Sequence, residues 1–284
     1  MVLESLFNPF IVKKKPWEMF LAGFIYTLVG LALSLFVFKE VASILLVFLI
    51  VIAILPMFYT TLKTEEELDL HSEQEWRLLR EHGKVITFLL FMFLGITAAL
   101  VLSYTFLPEK TTNIIFHLQE KAITNVNSNL RGAITGGTTQ FDFFIKILVN
   151  NLKVLFFCLV FSLLYGTGAI FILTWNASVI ATAMGNLFKN ELAQISSLVG
   201  FPYLSAYFSA ATMSFFRYMT HGILEITAYF IMALAGGILS VAIVRHNLEN
   251  ERVLIDTLDL IFISLGILVI AGVVEVYITP MLFM

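Results

Sequence analysis

Blocks of about twenty consecutive apolar residues recur along this chain, each the length a helix needs to cross ~30 Å of hydrocarbon. Lipid offers no water to backbone N–H and C=O groups. A spanning segment must therefore satisfy them internally, as a helix does. Composition agrees: of 284 residues, 59% are hydrophobic and 13% charged, against ~45–50% and ~25% in soluble domains. The pattern predicts an all-α, polytopic transmembrane bundle and argues against a soluble enzyme. A net charge of −3 gives none of the basic surplus that draws a protein to nucleic acid. Cys158 is the single cysteine, so an internal disulfide and a multi-cysteine metal site are both excluded.

Seven spans follow from the apolar blocks: 18–38, 41–62, 85–107, 146–165, 168–188, 221–244 and 257–279. Lys13, Lys14 and Lys15 precede the first block like the start of a signal peptide, but that block runs past Phe36 and reads as a true span. Ahead of the lysines, Val2, Leu3, Leu6, Phe7 and Phe10 suggest a short interfacial segment. The stretch 63–84 is strongly charged, with Glu73/Arg77 and Arg77/Glu81 at i,i+4, which predicts a solvated helix. The longest polar stretch, 108–142, has a helical-looking part at 114–123 and a Gly- and Thr-rich part at 132–139.

The segment 143–188 is apolar over twice the length of one span, and Tyr165-Gly-Thr-Gly168 reads as a break between two. The rival is one long helix to Trp175 followed by a half-helix. Residues 189–218 are semi-polar and read as interfacial, although 203–216 could enter the membrane. Lys and Arg in the short loops favour the N-terminus inside and the C-terminus outside, in a multi-pass protein of the cell membrane. The chain divides into residues 1–84, with a two-span hairpin and a charged cytoplasmic helix, and 85–284, a five-span core with an outer loop at 108–142.

Ionisable side chains inside a span cost at least ~2.5 kcal/mol near the bilayer centre and so need a reason. Glu225 lies four residues after His221, which puts both on one helical face, and Glu275 sits in the last span. The bland reading is that His221 and Glu225 satisfy each other while Glu275 bonds a neighbouring helix. The sharper one is a proton relay or cation site. A metal-hydrolase site is the third, weakened because His221-Gly-Ile-Leu-Glu225 holds one histidine where a zinc helix holds two. Asn150 and Asn151 read as opening the fourth span, one of them capping its N-terminus. Asn176-Ala-Ser178 matches the glycosylation pattern by chance, inside an apolar segment. The spacings Gly30/Ser34, Gly95/Ala99 and Gly236/Ser240 would allow close helix approach.

From about residue 85 onward the chain resembles the stage II sporulation protein M family. Four islands carry the resemblance: Phe144-Ile-Lys-Ile-Leu-Val-Asn-Asn-Leu-Lys-Val154; Gly166-Thr-Gly168 followed by Asn176; His221-Gly-Ile-Leu-Glu225; and Glu275 with Thr279-Pro280. The His-Gly-x-x-Glu island is the most specific. Ala177 departs from the pattern, in which glycine usually follows the later asparagine. The resemblance implies structural roles for Asn150, Asn151, Gly166, Gly168, Asn176, Gly222, Gly236 and Gly237. It also implies a non-enzymatic membrane component that gathers envelope partners. The expected reading is therefore a scaffold without cofactor or metal, working through the 108–142 loop and helix surfaces. Its partners would be the bilayer and membrane or envelope proteins, with self-association left open. The alternative is an ion- or proton-coupled transporter or channel built on His221, Glu225 and Glu275.

Overall fold

A computed structural model describes residues 17–71, 75–134, 139–199, 204–246 and 251–283, and every regular element among them is helical. In chain order these are α1 (Trp17–Val37), α2 (Ala42–His71), α3 (Glu75–Phe106), α4 (Glu109–Ile115), α5 (His117–Ile134), α6 (Gln140–Tyr165), α7 (Ala169–Val199), α8 (Leu204–Val244) and α9 (Glu251–Val273). A π turn (Val274–Ile278) and α10 (Thr279–Phe283) continue α9 to the end. Seven helical segments are long and apolar enough to cross a membrane, as the hydropathy blocks predict.

Boundaries differ from the sequence expectation where helix propensity outlasts hydrophobicity. The 63–84 stretch is not a separate helix but the extension of two spans, since α2 runs on to His71 and α3 starts at Glu75. Its Glu, Leu and Lys residues favour helix, and no Gly or Pro interrupts 63–71. Glu73, the side chains of Arg77 and Glu81 that would form the expected ion pairs, and the N-terminal interfacial segment lie outside what the structure describes. Where it is described, the 108–142 stretch is not an open loop but forms α4, α5 and the first residues of α6; residues 135–138 of its Gly- and Thr-rich part lie outside the described residues. Residues 204–220 join the sixth span, so that α8 is one helix of 41 residues. At 1.5 Å per residue it is about 61 Å long, roughly twice the hydrocarbon thickness.

Glycine lets the first helices meet backbone to backbone. A Cβ on Gly95 would lie 2.0 Å from the Phe20 carbonyl oxygen, and one on Gly23 would lie 2.4 Å from that of Met92. Gly95 was expected at such a face; Gly23 was not. Gly30 shows only ordinary contact with α2. Gly236 packs α8 against α6, its missing Cβ leaving room for Ser162 Cβ at 2.8 Å.

The Gly166 break is a turn between two spans, which excludes the single long helix. Gly166 has φ +63° and ψ −63°, and Thr167 N–H donates to Tyr165 O at 2.6 Å. This is the strained form of γ-turn, with positive φ, that an L side chain resists. α8 forms the centre of the bundle. About 78% of its most apolar window is buried, against 22% for α6 and for the last span, so α6 and α9 lie outermost.

Candidate functional site

α6 begins at a Thr139 cap, not at the paired asparagines. Thr139 Oγ1 accepts from Asp142 N–H, and Asp142 Oδ2 accepts from Thr139 N–H at 2.8 Å, a reciprocal capping box. Asn150 and Asn151 therefore lie three turns inside the helix, and neither caps it. Asn150 is exposed, whereas Asn151 is buried and faces α8.

There Asn151 Nδ2 donates to Glu225 Oε1 of α8. The Glu225 carboxyl also lies within electrostatic reach of that of Glu275 in the π turn. Two carboxyl groups brought together in a buried site cannot both carry charge at low cost. Tyr229, one helical turn past Glu225, is buried within electrostatic reach of both glutamates and of Cys158. The cluster thus draws on α6, α8 and the end of α9, segments that come together only in the folded chain.

His221 does not pair with Glu225, as the shared helical face had suggested. Its Nδ1 lies 3.2 Å from Thr279 Oγ1, and that hydroxyl donates to Val274 O at 3.0 Å. The reason lies in the last span. A π turn holds one residue more than an α turn and often marks a functional site. Here it sits directly before Thr279-Pro280, where proline has no N–H to give to the preceding turn. Glu275 is thereby turned onto Glu225 while Thr279 meets His221. A further bond, Ser264 Oγ to Ala228 O at 2.8 Å, fastens α9 to α8 below the cluster.

Of the other expected residues, Asn176 stays outside the cluster, donating from Nδ2 to Ile172 O of its own helix at 2.8 Å. Ser178 of the same glycosylation-like triplet is fully buried. Gly166 and Gly168 shape the α6–α7 turn; a Cβ on Gly168 would lie 2.4 Å from Phe161 O. Gly222 faces open space, with nothing within 4 Å of an added Cβ. Gly237 lies in the buried stretch of α8 beside Gly236. Among the described residues, no group of three or more His, Cys, Asp and Glu side chains is arranged to hold a metal ion.

Sequence reasoning missed a second polar cluster. Gln119 of α5 is fully buried; its Oε1 accepts from Ser43 Oγ of α2 at 2.9 Å, and its Nε2 donates to Ser178 Oγ of α7 at 3.2 Å. Ser43 Oγ in turn accepts from Leu118 N–H at 3.2 Å. Ile115 and Phe116 beside it are also buried, so the start of this segment packs into the bundle. The signal available was the apolar spacing of Ile114, Ile115, Phe116 and Leu118, which a solvated loop would not carry.

Seven membrane-length helices around a buried polar cluster define a polytopic α-helical membrane protein. Residues 85–280 match the family model of stage II sporulation protein M, and the chain belongs to that family. An uncharacterized protein of Methanocaldococcus jannaschii is 30% identical over 176 residues, which is 59% of this chain and 83% of that protein. No solved structure matches the chain.

Proposed function

We propose that this protein is a proton-coupled transporter or channel in which the Glu225–Glu275 pair takes up and releases the proton. The observation that carries this reading is the juxtaposition of two buried carboxyl groups from separate helices, one of them bonded to Asn151 of a third. Such groups are rare in spans and mark ion or proton paths. Asn151 gives the pair an N–H donor, whereas a bound cation needs oxygen ligands turned toward it. A shared proton suits the donor set better than a metal ion does. No enzymatic step is required of these residues.

Proton flux in proteoliposomes, driven by a pH gradient, tests the reading. Wild-type protein is expected to conduct above empty vesicles. Glu225→Gln and Glu275→Gln keep the shape and hydrogen-bonding capacity of the side chain but remove the titrating group, and each should abolish the flux in folded protein. Wild-type flux no higher than that of empty liposomes, or retained flux in both variants, would sink it.

The scaffold reading has its own support in α6. This helix exposes Phe156, Phe157, Leu164 and Tyr165 on the outside of the bundle, a face for lipid or for partner helices. Co-purification of envelope proteins that is lost when Phe156 and Leu164 become alanine would favour it.

A further inference from the structure

The His221 ring has one nitrogen at which a proton can come and go. Thr279 Oγ1 lies 3.0 Å from Val274 O and 3.2 Å from His221 Nδ1. A carbonyl oxygen only accepts, so the single hydroxyl hydrogen of Thr279 lies on the Val274 side. Oγ1 therefore meets Nδ1 as an acceptor, and Nδ1 carries a hydrogen. That hydrogen stays in place whether the ring is neutral or charged, which leaves Nε2 to bind and release the proton. Nε2 has no hydrogen-bond partner among the described residues.

Arg217, His221 and Glu225 recur every four residues of α8, so they form one stripe with steps of ~6 Å along the axis. Arg217 at its start is exposed, and His221 is half-buried. Tyr218, next to Arg217, is within electrostatic reach of that guanidinium and of Glu275, so the charged end of the stripe and the carboxyl pair are neighbours. In the other direction α8 is dry. Phe230 to Ile238 are buried without a break and include no polar side chain, a length of ~12 Å. Along α8, a proton bound for the pair comes from the Arg217 end, and His221 stands at the last turn before it.

A histidine placed here serves either as a tie or as a relay. A tie needs only the Nδ1–H bond to Thr279, which an amide could make as well, and leaves Nε2 idle. A relay uses Nε2 and a carboxyl one turn away. Positions at i,i+4 bring Cβ atoms to ~5–6 Å, which the two side chains can bridge directly or through one water. An ionisable ring inside a span is costly and is kept where its ionisation is used. The second role accounts for the ring; the first does not.

We propose that His221 is the relay through which the Glu225–Glu275 pair exchanges protons with water at the Arg217 end of α8. Nε2 takes a proton from water, and the ring becomes imidazolium. The imidazolium then passes that proton to an ionised carboxyl of the pair, and the neutral ring is restored. Thr279 holds Nδ1–H throughout, so neither step breaks the tie between the last span and α8. The inference rests on the proton-transport reading of the pair.

The test compares proton flux through the full chain in vesicles for wild type, His221→Asn and His221→Ala. Asparagine keeps an N–H donor near the position of Nδ1 but cannot carry the proton, so it separates tie from relay. Both variants should lose flux by about tenfold or more. Imidazole added to the buffer should restore flux to His221→Ala, measured above empty vesicles and above the His221→Ala/Glu225→Gln double variant under the same imidazole. If wild type conducts, Glu225→Gln does not, and His221→Asn conducts like wild type, the relay is overturned while the pair keeps its role. A loss in His221→Ala that imidazole leaves unrepaired would also overturn it, reducing the ring to a tie. Absence of wild-type flux would remove the pair's role and the relay together. Nitrogen-15 resonance of the wild-type histidines, with His221 assigned from the signal missing in His221→Asn, gives a check that needs no flux. The neutral ring should show hydrogen on Nδ1 and none on Nε2, and the opposite tautomer would overturn the relay.

Discussion

Replacing Gly95 by alanine sets a methyl carbon 2.0 Å from Phe20 O, 2.8 Å from Phe20 C and 3.0 Å from Phe20 Cα. All three atoms are backbone, so no rotamer change relieves the overlap. Ordinary contact begins near 3.4 Å, so α1 and α3 must separate by more than an ångström, which also opens the Gly23–Met92 approach. Overpacking costs ~1–3 kcal/mol and occasionally more, and rigid backbone on both sides puts this case at the upper end. Alanine returns about 1 kcal/mol of helix propensity. The net is a destabilisation of about 2 kcal/mol, up to a thirtyfold fall in the folded-to-unfolded ratio. Gly222→Ala is the matched control. It makes the same chemical change inside a helix but meets nothing within 4 Å, so only the propensity gain of about 1 kcal/mol remains. Reversible unfolding in mixed micelles, followed by circular dichroism, should therefore move the two midpoints in opposite directions. A Gly95→Ala protein as stable as wild type, or a destabilised Gly222→Ala protein, would refute the packing argument.

Other expectations can be checked with the same unfolding assay. Gly166→Ala forces a side chain into φ +63° and should cost about 1–2 kcal/mol, whereas Gly266→Ala, with open space around it, should stabilise. Gln119→Leu removes the bonds to Ser43 and Ser178; at ~0.6–1.7 kcal/mol per interhelical bond in membranes, it should lower stability by about 1–3 kcal/mol, and Gln119→Asn should not restore it. Asn151→Leu takes the N–H donor from Glu225 and should cost about 0.6–1.7 kcal/mol, with a lower proton flux in vesicles. Unchanged stability in either variant would show that these bonds add nothing to the fold.

The spans were readable because hydrocarbon thickness fixes their length, and seven blocks became seven helices. What was not readable was contact across sequence distance. His221 and Glu225 share a face by spacing alone, yet their partners are set by a π turn some fifty residues later, which no local pattern announces before Thr279-Pro280. Asn151 was visible as a polar residue in an apolar run, but its partner is 74 residues away. The cap was misplaced because Thr139 and Asp142 sit in a polar stretch, where a capping box resembles loop. Gln119 was hidden for the opposite reason: a polar residue in a polar stretch gives no hint that two helices will close over it. Residues 204–220 read as interfacial because serine, threonine and tyrosine dilute the hydropathy of a segment that is nonetheless helical throughout.

The wide turn at the end of the last span carries one further consequence. Each residue added to a helical turn rotates everything beyond it by about 100°. Glu275 and Thr279 share the register set by this single inserted residue, one meeting Glu225 and the other His221. If the turn relaxed to ordinary α-helix, both side chains would swing away from α8 together. The carboxyl contact and the histidine contact thus form one latch with two teeth, both set by a single arrangement of backbone hydrogen bonds.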